Sequence, residues 1–314
     1  MADAARGARA AARIGVVIAA HDRERLLGRA MRSIYAQSLP PAAVELCVVD
    51  AASRDRTLEV ARARAAEAPA GMRVVIEHEP SGGAAAARNR GWRRLEAAVV
   101  AFLDDDAEAA PDWLQSALAA LEAEPRAGAL GGPTRLGWLG PPPPRPLAEA
   151  LAAFCALDYG PRRRWLRYPR APIGPNMVVR RQALEQAGGF DPAFGPAPGR
   201  ALVAEEGELC LRLQRAGYRV LYEPACRVRH LMEPRRAERS YVLWRAAVHG
   251  RSRCLVDYKH FGARRLGHQL VRLARGALRV ALRQRLGAAE QADFVYGAAY
   301  LQTLAALLAG GAAR

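Results

Sequence analysis

Three consecutive aspartates, Asp104, Asp105 and Asp106, have the residue type and spacing of a metal site. They follow a short apolar run typical of a buried strand, where adjacent carboxylates repel one another unless a cation lies nearby. Hard oxygen ligands of this kind suit Mg²⁺ or Mn²⁺, which keep open positions for substrate phosphates. The alternative is a solvated acidic turn before the next helix, with Pro111 in its first turn. The triplet therefore predicts a divalent-metal site at the end of a strand.

Two further places in the sequence offer contacts to a nucleotide. Asp50 and Ser53 come directly after another apolar run, and a strand-end carboxylate can accept hydrogen bonds from a nucleobase or a ribose. Arg88 lies in a helix that follows Gly82-Gly83, and its guanidinium offers a bidentate fork to a phosphate or a base. The alternatives are an ordinary Asx or Ser turn for the first pair and a structural, stacked side chain for the arginine.

A third group of acids opens a predicted helix, whose dipole favours ionised carboxylates at that end. Glu208 lies four residues before Arg212, so a salt bridge is the alternative to a catalytic role for it. Glu206 has no partner at that spacing; we expect an exposed side chain with a pKa of roughly 4, charged as a general base must be. Glu205 precedes it. His230, after a later strand, can bind metal or phosphate, or be structural.

Alternating strands and helices position these residues. Strand and helix alternate four times with short connections, which predicts a parallel sheet with helices on both faces. Ligands bind beyond the carboxyl ends of the strands in such sheets, and Asp50 and Asp104 both follow strands. The predicted strands are 14–19, 44–49, 74–76 and 98–103, and the predicted helices among them are 26–35, 57–68 and 84–95.

The second half of the sequence is less regular and shows no internal repeat. Residues 137–146 include a run of prolines and are expected to form a stiff, extended connector. Beyond it, the patterns predict strands at 178–179 and 218–222, and helices at 182–187 and 205–216.

The composition is that of a folded domain with a strongly basic balance. Apolar side chains make up 51% of the residues and charged ones 25%. The net charge of +16 favours anionic partners, namely nucleic acid, phosphorylated substrates or anionic lipid, although coding bias toward arginine is an alternative explanation. Five widely spaced cysteines without a C-x-x-C pair indicate reduced thiols rather than disulfides or a zinc site.

Taken together, these segments resemble the family 2 glycosyltransferases with the GT-A fold, over about residues 13–232. The resemblance rests on five segments in the family's order: VVIAAHDRERLLGRAMRSIYAQSLPPAAVELCVVDAASRD, GGAAAARNRG, FLDDDAEAAPDWL with its D-x-D pattern, GPNMVVRRQALEQAGGFD and EEGELCLRLQRAGYRVLYEPACRVRH. It implies an α/β fold with a mostly parallel, Rossmann-like central sheet flanked by helices and followed by a C-terminal helical extension. It also implies an enzyme that uses a divalent metal, Mg²⁺ or Mn²⁺.

The resemblance assigns roles position by position. It places Ala19, Asp50, Ser53, Arg88, Asp104 and Asp105 at the nucleotide, and Asp106 and His230 at the metal. Glu206 is the implied catalytic base, with Glu205 and Glu208 as the other candidates. The implied acceptor-side residues are Asn176, Gly188, Gly189, Phe190 and Asp191. Two places depart from the family: Ala51-Ala52 replaces the frequent Asp-Gly pair, and Glu206 replaces an aspartate.

The implied reaction moves a sugar from a nucleoside-diphosphate sugar, of UDP or dTDP type, to a hydroxyl acceptor, with inversion at the anomeric carbon. The expected setting is the synthesis of cell-surface polysaccharide or glycolipid, with a lipid-linked acceptor. A catalytically impaired binding protein is an alternative because of the two departures. A basic nucleic-acid-binding protein would explain the charge but not the aspartates, so we expect no nucleic-acid partner. A dinucleotide-binding dehydrogenase would need G-x-G-x-x-G where the chain reads Ala19-Ala20-His21-Asp22-Arg23.

The predicted domains are a disordered tail at 1–12, a glycosyltransferase domain at 13–235 and a basic helical extension at 236–314. The domain divides into a nucleotide-binding half (13–136), a connector (137–175) and an acceptor side (176–235). In the extension, basic residues recur on one face of a predicted helix: Arg264, His268, Arg272, Arg275, Arg279 and Arg283.

Two arrangements suit that helix. It can lie on an anionic membrane surface, or it can pack on the catalytic domain with a solvated arginine face. Residues 294–310 are apolar but shorter than the roughly 20 residues that span a bilayer, so a packed or half-inserted helix is predicted there. We expect a cytoplasmic protein that is peripheral on the inner face of the cell membrane.

Overall fold

A large, mostly parallel β-sheet forms the centre of the computed structural model, which describes residues 12–262 and 287–311. The strands are β1 (Ile14–Ala20), β2 (Val44–Asp50), β3 (Arg73–His78), β4 (Val99–Asp104), β5 (Ala107–Ala109), β6 (Ala127–Gly131), β7 (Thr134–Trp138), β8 (Arg164–Leu166), β9 (Met177–Arg180), β10 (Arg219–Tyr222) and β11 (Val228–Met232). The helices are α1 (Leu27–Tyr35), α2 (Thr57–Ala65), α3 (Ala84–Arg94), α4 (Trp113–Ala123), α5 (Arg145–Cys155), α6 (Arg181–Ala187), α7 (Glu205–Arg215), α8 (Arg239–Phe261) and α9 (Ala288–Gly311).

The predicted parallel strands lie side by side in the order β3-β2-β1-β4. β1 and β2 are almost wholly buried, as expected of β-branched runs covered on both faces by helices. In the sheet register Ala20 pairs with Asp50, and Ala19 pairs with Asp104. The carboxyl ends of β1, β2 and β4 therefore meet at one edge, where the predicted site residues begin.

One close contact fixes α3 on this sheet. A Cβ atom at Gly91 would lie 2.5 Å from Val17 Cγ1 and 3.1 Å from Val49 Cγ2, so only glycine lets the helix approach β1 and β2 this closely. Arg88 lies one turn earlier on the same helix and is buried. The close packing of α3 therefore sets how far the Arg88 side chain reaches across the strand ends.

The remaining strands make the sheet mixed and add a smaller sheet. β9 runs antiparallel between β4 and β6, and within the described residues the main sheet has the order β3-β2-β1-β4-β9-β6-β10-β8. A second sheet, β5-β11-β7, carries His230 on its central strand and lies directly after the aspartates. The predicted extended connector at 137–146 begins in β7 and ends in the first turn of α5, and the longer segment 137–175 also contains β8.

The C-terminal helices pack against each other as well as against α5. Tyr300 Oη donates a hydrogen bond to Asp257 Oδ2 at 3.2 Å, and a Cβ atom at Gly250 would lie 2.2 Å from the Tyr296 carbonyl oxygen. The stretch Ala288–Ala309 in α9 is long and apolar enough to cross a membrane, although part of it is buried in the protein. The predicted basic helix at 264–283 and residues 1–11 of the predicted tail lie outside the described residues.

Candidate active site

A cavity of about 1170 Å³ opens at the carboxyl ends of β1, β2 and β4. Its floor includes Ala19, Arg88 and the three aspartates, and its sides include the start of α7 and the loop around Gly174. One face of α8 closes it on the far side. The predicted location of the site, at the strand ends, is where this cavity lies.

Two side chains contact Asp106: His230 from the second sheet, and Arg236 from the segment that follows this sheet. Its Oδ1 lies 3.1 Å from His230 Nε2, and its Oδ2 accepts a hydrogen bond from Arg236 at 2.8 Å. Burial would raise the pKa of Asp106, but His230, and then Arg236 and Arg23, outweigh it and hold that pKa well below its usual range. Asp106 is therefore an ionised, buried carboxylate.

Asp105 is engaged by the loop that follows β1. Its Oδ1 accepts a hydrogen bond from Arg23 Nε at 3.1 Å, and its Oδ2 accepts one from the His21 backbone N–H at 3.1 Å. Burial and the neighbouring Asp106 raise the pKa of Asp105 to about 7, although Arg23 opposes them. Both of its oxygens are thus occupied by protein donors.

Arg88 bridges the aspartates and the predicted base. Its Nη2 donates to Asp104 Oδ1 at 2.9 Å, and its Nη1 donates to Glu205 Oε1 at 2.7 Å. Glu206 Oε1 lies 3.2 Å from the same Nη1. Burial lowers the pKa of Arg88, but the three carboxylates outweigh it and the net shift is upward. The guanidinium is therefore a permanent cation among three acids.

The prediction of an exposed Glu206 with an ordinary pKa was wrong. Its side chain is only 13% exposed, because α7 begins against the cavity floor. Burial, followed by the adjacent Glu205 carboxylate, raises the pKa of Glu206 to about 8. The helix dipole favours the ionised carboxylate, but removal from water is the larger effect.

Glu208 has the salt-bridge role that its spacing suggested. It is fully buried, and Arg212 Nη2 donates to its Oε2 at 2.7 Å. Lys259 Nζ and His260 Nε2 lie 3.0 Å and 2.9 Å from its other oxygen. These contacts tie α7 to the end of α8. The Glu208 carboxylate is therefore used in ion pairs that stabilise the fold, and this does not fit a role as the catalytic base.

The nucleotide-side residues divide into two groups. Asp50 is 2% exposed; its Oδ2 lies 2.9 Å from His78 Nδ1, and its Oδ1 has no hydrogen-bond partner in the described chain. Ser53 Oγ accepts a hydrogen bond from the Asp22 backbone N–H at 3.1 Å and does not line the cavity. Asp50 does not line the cavity either, but it keeps an unused acceptor next to Ala51, which does, whereas Ser53 stabilises a loop.

The predicted acceptor-side residues are not among those that line the cavity, and their assignment to the acceptor stays a prediction. Asn176 is fully buried and bonds to Trp113 Nε1 and to the carbonyl oxygens of Pro133 and Cys226. The turn 188–191 ends α6: Gly188 has a left-handed φ of 76°, and Asp191 contacts Lys259. Gly189 and Phe190 pack against α3, with the Arg88 guanidinium 5.5 Å from the Phe190 ring. These residues contact the elements that form the site and do not line the cavity.

Backbone strain is concentrated at the cavity. In the described part of the chain three non-glycine residues have positive φ: Asp22 at 51°, Ala52 at 56° and Ala204 at 82°. All three line the cavity. Such conformations are disfavoured for residues with a side chain and cluster at functional sites. Ala52 stands where the resembled family often has glycine, and its left-handed backbone gives the physical reason for that preference.

Two arginines at the site, Arg23 and Arg236, were missed by the sequence reasoning. Arg23 follows β1 and contacts Asp105, whereas Arg236 comes from the short 3-10 helix Pro234–Ala237 after β11. Arg23 lies in the segment HDRER directly after the first strand, so its place at a strand end was the available signal. Nothing in the local sequence separates Arg236 from the arginines around it.

The donor set of the site suits a divalent cation. One ligand atom each from Asp104, Asp106 and His230 lie within 4.8 Å of one another. Two carboxylates and an imidazole match the oxygen-rich coordination of Mg²⁺ or Mn²⁺. His230 Nδ1 faces the Cys155 carbonyl oxygen at 3.2 Å, which leaves Nε2 to face Asp106. The residues present therefore fit a metal site, and Asp104 joins the two predicted ligands.

All five cysteines are buried and unpaired, as predicted.

Solved structures share this fold. A mannosyltransferase from Pyrobaculum calidifontis, in complex with GDP-Man and Mn²⁺, superposes with a TM-score of 0.58 at 22% identity, covering 96% of this chain and 76% of that one. The S. aureus protein TarS, residues 1–349 with UDP-GlcNAc, gives a TM-score of 0.54 at 14% identity, covering 82% and 75%. The fold is therefore that of the GT-A class, and the predicted fold is confirmed.

Residues 15–188 match the glycosyl transferase family 2, so the chain belongs to that family. A glucosyl-dolichyl phosphate glucuronosyltransferase from Haloferax volcanii is 29% identical over 160 residues, which are 51% of each chain. A pre-mycofactocin glycosyltransferase from Mycobacterium tuberculosis is 32% identical over 196 residues, 59% of this chain and 37% of that one. The chain spans about half the length of the first relative and 37% of the length of the second. The prediction of a family 2 glycosyltransferase is confirmed.

Proposed function

We propose that the protein transfers a sugar from a nucleoside-diphosphate sugar to a hydroxyl acceptor, with inversion at the anomeric carbon. The observation that carries the proposal is the Arg88 bridge, which places Glu206 beside the Asp104, Asp106 and His230 group in one cavity. Such an arrangement puts a base and a diphosphate-binding centre within reach of one substrate. Family membership supports the same reaction class.

Asp104, Asp106 and His230 would hold the metal ion. When bound, the ion supplies charge stabilisation to the two phosphates of the leaving group. Arg23 and Arg236, which contact the aspartates, are placed to donate hydrogen bonds to the same phosphates. Asp105 holds Arg23 in place rather than acting on the substrate itself.

Glu206 would act as the general base. The acceptor oxygen attacks the anomeric carbon, its proton passes to Glu206, and the bond to the phosphate oxygen breaks with its electron pair leaving on the nucleoside diphosphate. A carboxyl with a raised pKa is a stronger base once ionised, which suits proton removal from a hydroxyl. The Arg88 guanidinium favours the ionised form of Glu206 and so works against the effect of burial.

A pyrimidine nucleotide of UDP or dTDP type is the donor that Asp50 favours. Its Oδ1 is buried and lacks a hydrogen-bond partner in the described chain, so it can accept the N3–H of uracil or thymine. Ala51 and Ala52, where the family often has Asp-Gly, line the cavity beside it. Because the mannosyltransferase neighbour was crystallised with GDP-Man, guanine nucleotides belong in the test.

The test is a panel of nucleotide sugars with Mg²⁺ or Mn²⁺, read by donor hydrolysis and by thermal-shift binding. We expect metal-dependent stabilisation by one nucleotide and hydrolysis of its sugar conjugate. Donor binding without any hydrolysis or transfer would favour the alternative of a catalytically impaired binding protein. Salt-dependent DNA binding that persists against UDP-sugars would favour the nucleic-acid-binding alternative.

The C-terminal helices support a peripheral location of the protein on an anionic membrane, on its cytoplasmic side. The acceptor there would be lipid-linked. Large apolar side chains on them are exposed: Trp244 on α8, and Phe294, Leu301 and Leu308 spaced seven residues apart on α9. The stretch between the two helices, 263–286, contains arginines and no acid. An apolar face beside a basic segment is the combination that binds anionic bilayers.

Flotation of the full chain with vesicles tests this placement. We expect binding to anionic vesicles, weaker binding to zwitterionic ones, and loss of binding in the variant Phe294→Ser with Leu301→Ser. The exposed Gln302→Ser on the same helix is the matched control. Flotation of the double variant equal to that of the control would remove the membrane proposal.

A further inference from the structure

The wall of the cavity formed by α8 carries a row of polar side chains. Tyr241, Arg245, His249 and Arg253 follow one another at intervals of four residues, which places them on one face of the helix. All four line the cavity. This wall lies outside residues 15–188, the part of the chain that matches the family.

Two atoms in this row are buried without a hydrogen-bond partner in the described chain. They are Arg245 Nε and His249 Nε2. Buried polar groups are nearly always paired in folded proteins, so an orphaned pair on a cavity wall indicates that a ligand supplies the missing acceptors. Both atoms can donate a hydrogen bond.

The charges around the row are not balanced. Arg253 Nε donates to Asp257 Oδ2 at 2.9 Å, whereas within residues 12–262 and 287–311 no carboxylate lies within ion-pairing distance of Arg245. Burial, and then the adjacent Arg245, lower the pKa of His249 to about 3, so its imidazole is neutral and keeps one N–H. The unpaired guanidinium is the cation that an anionic ligand would neutralise.

The row adjoins the reaction centre without being part of the diphosphate contacts. Cys155 connects the two, since its carbonyl oxygen faces His230 Nδ1 and its thiol lies beside Arg245. Next to it, the Phe154 ring lies 5.1 Å from the His249 ring. On the proposed function, Arg23 and Arg236 contact the phosphates of the donor, which leaves the α8 row for the acceptor.

We propose that Arg245 and His249 form an anion subsite that binds a phosphate or carboxylate group carried by the acceptor. That the anion belongs to the acceptor rests on the proposed function, whereas the anion subsite itself rests on the orphaned donors alone. Arg245 offers its guanidinium to two oxygens of the group, and His249 donates from Nε2 to the same group. The aromatic side chains around them suit the apolar part of such a molecule.

The test is calorimetric titration of phenyl phosphate, benzoate and phenol into the full-length protein. The protein is first saturated with Mn²⁺ and whichever of UDP or GDP stabilises it, so that the probes do not enter the diphosphate site. We expect one of the two anions to bind at least about tenfold more tightly than phenol, and the stronger of the two identifies the acceptor's anionic group. We expect Arg245→Gln to weaken that anion at least about tenfold, and His249→Leu to weaken it as well.

The matched control is Arg251→Gln, an exposed arginine on another face of the same helix. Equal anion affinity in Arg245→Gln and Arg251→Gln, or phenol binding as strong as that of both anions, would overturn the proposal. Thermal unfolding separates a binding role from a structural one. Removal of a half-buried charge that has no carboxylate partner should leave the melting temperature of Arg245→Gln equal or higher, and a fall accompanied by loss of nucleotide binding would count against the subsite.

The two proposals fail in different ways. If neither nucleotide stabilises the protein in the presence of metal, the proposed function fails, and the titrations are then made on the free protein. A loss of anion binding in Arg245→Gln but not in Arg251→Gln would still support the subsite. Equal losses of anion affinity in Arg245→Gln and Arg251→Gln would refute the subsite in the free protein as well.

Discussion

Arg88 lies between Asp104 and Glu205, with one guanidinium nitrogen 2.9 Å from the aspartate and the other 2.7 Å from the glutamate. The strand end that carries the aspartates and the helix start that carries the glutamates are distant in sequence, and this side chain joins them. Because Arg88 also reaches Glu206, its charge affects the diphosphate side and the base side of the cavity together.

Asp106→Asn should abolish metal-dependent nucleotide binding. The change removes one anionic ligand from the Asp104, Asp106 and His230 group, and we expect turnover to fall by about 10²–10³-fold or more. Thermal shift with UDP or GDP, with and without Mn²⁺, is the measurement. Asp112→Asn, which removes an exposed partner of Arg227, is the control. Retained Mn²⁺-dependent stabilisation in Asp106→Asn would contradict the assignment.

Glu206→Gln should remove catalysis and spare donor binding. The amide keeps the shape of the side chain but cannot accept a proton, so we expect kcat to fall by about 100-fold or more. The measurement is sugar transfer or donor hydrolysis alongside nucleotide affinity. Glu206→Asp, the residue usual in the family, should retain more activity than the glutamine variant. Equal turnover in Glu206→Gln and the unaltered protein would rule out this base.

The rate should increase with pH through a pKa well above that of an ordinary glutamate. Burial and Glu205 raise the pKa of Glu206 to about 8, and only the ionised form is active as a base. Below that value kcat/KM should fall about tenfold per pH unit, because the protonated fraction grows. A pH profile from 6 to 9 is the measurement. A profile that stays flat over this range would contradict the assignment.

Glu208→Gln should destabilise the protein. Loss of this buried carboxylate leaves Arg212 without a carboxylate partner and Lys259 with Asp191 alone, at a cost of about 3 kcal/mol. Burial raises the pKa of Glu208, but the hydrogen bond from Arg212 and the other cations outweigh it, so the pKa is lowered below 4.5. The stability difference should therefore be full above pH 4.5 and shrink as the pH falls through the folded-state pKa. Urea unfolding measures it, with Glu185→Gln at an exposed pair as the control. Equal unfolding midpoints for the two variants would contradict the structural role.

Ala52→Gly should stabilise the fold. The residue has a φ of 56°, where a side chain costs about 1–2 kcal/mol, and the greater freedom of glycine in the unfolded chain offsets part of the gain. We expect a net increase of about 0.5–1 kcal/mol in the free energy of unfolding. Ala51→Gly, one residue earlier and without positive φ, should destabilise instead. If the free energy of unfolding changed in the same direction in Ala52→Gly and Ala51→Gly, this explanation would be refuted.

The sequence predicted the parallel strands and the aspartate site because both are local patterns. β1 and β2 are runs of β-branched residues, and Asp104–106 follow directly on such a run, so the strand ends and the acids were placed together. The topology rules for parallel sheets then bring Asp50 to the same edge. Each of these inferences needs information from neighbouring residues only.

The environments of the side chains could not be predicted in this way. The pKa of Glu206 depends on its burial against Arg88 and Gly174, which are distant in the chain. Arg236 lies in a short 3-10 helix after β11, and nothing in the local sequence separates it from the arginines around it. Asn176 was expected at the acceptor because of its motif, whereas its amide is consumed by backbone carbonyls in the interior.

The α8 wall of the cavity also bears on how such a protein can diversify. The segment that matches the family supplies the floor, while a helix beyond residue 188 supplies the opposite side. Substitutions on that helix can change which molecule receives the sugar without disturbing the aspartates. With the proposed subsite on α8, the choice of acceptor depends on a helix that carries none of Asp104, Asp106 and His230, and exchanging that helix between relatives is a route to new products.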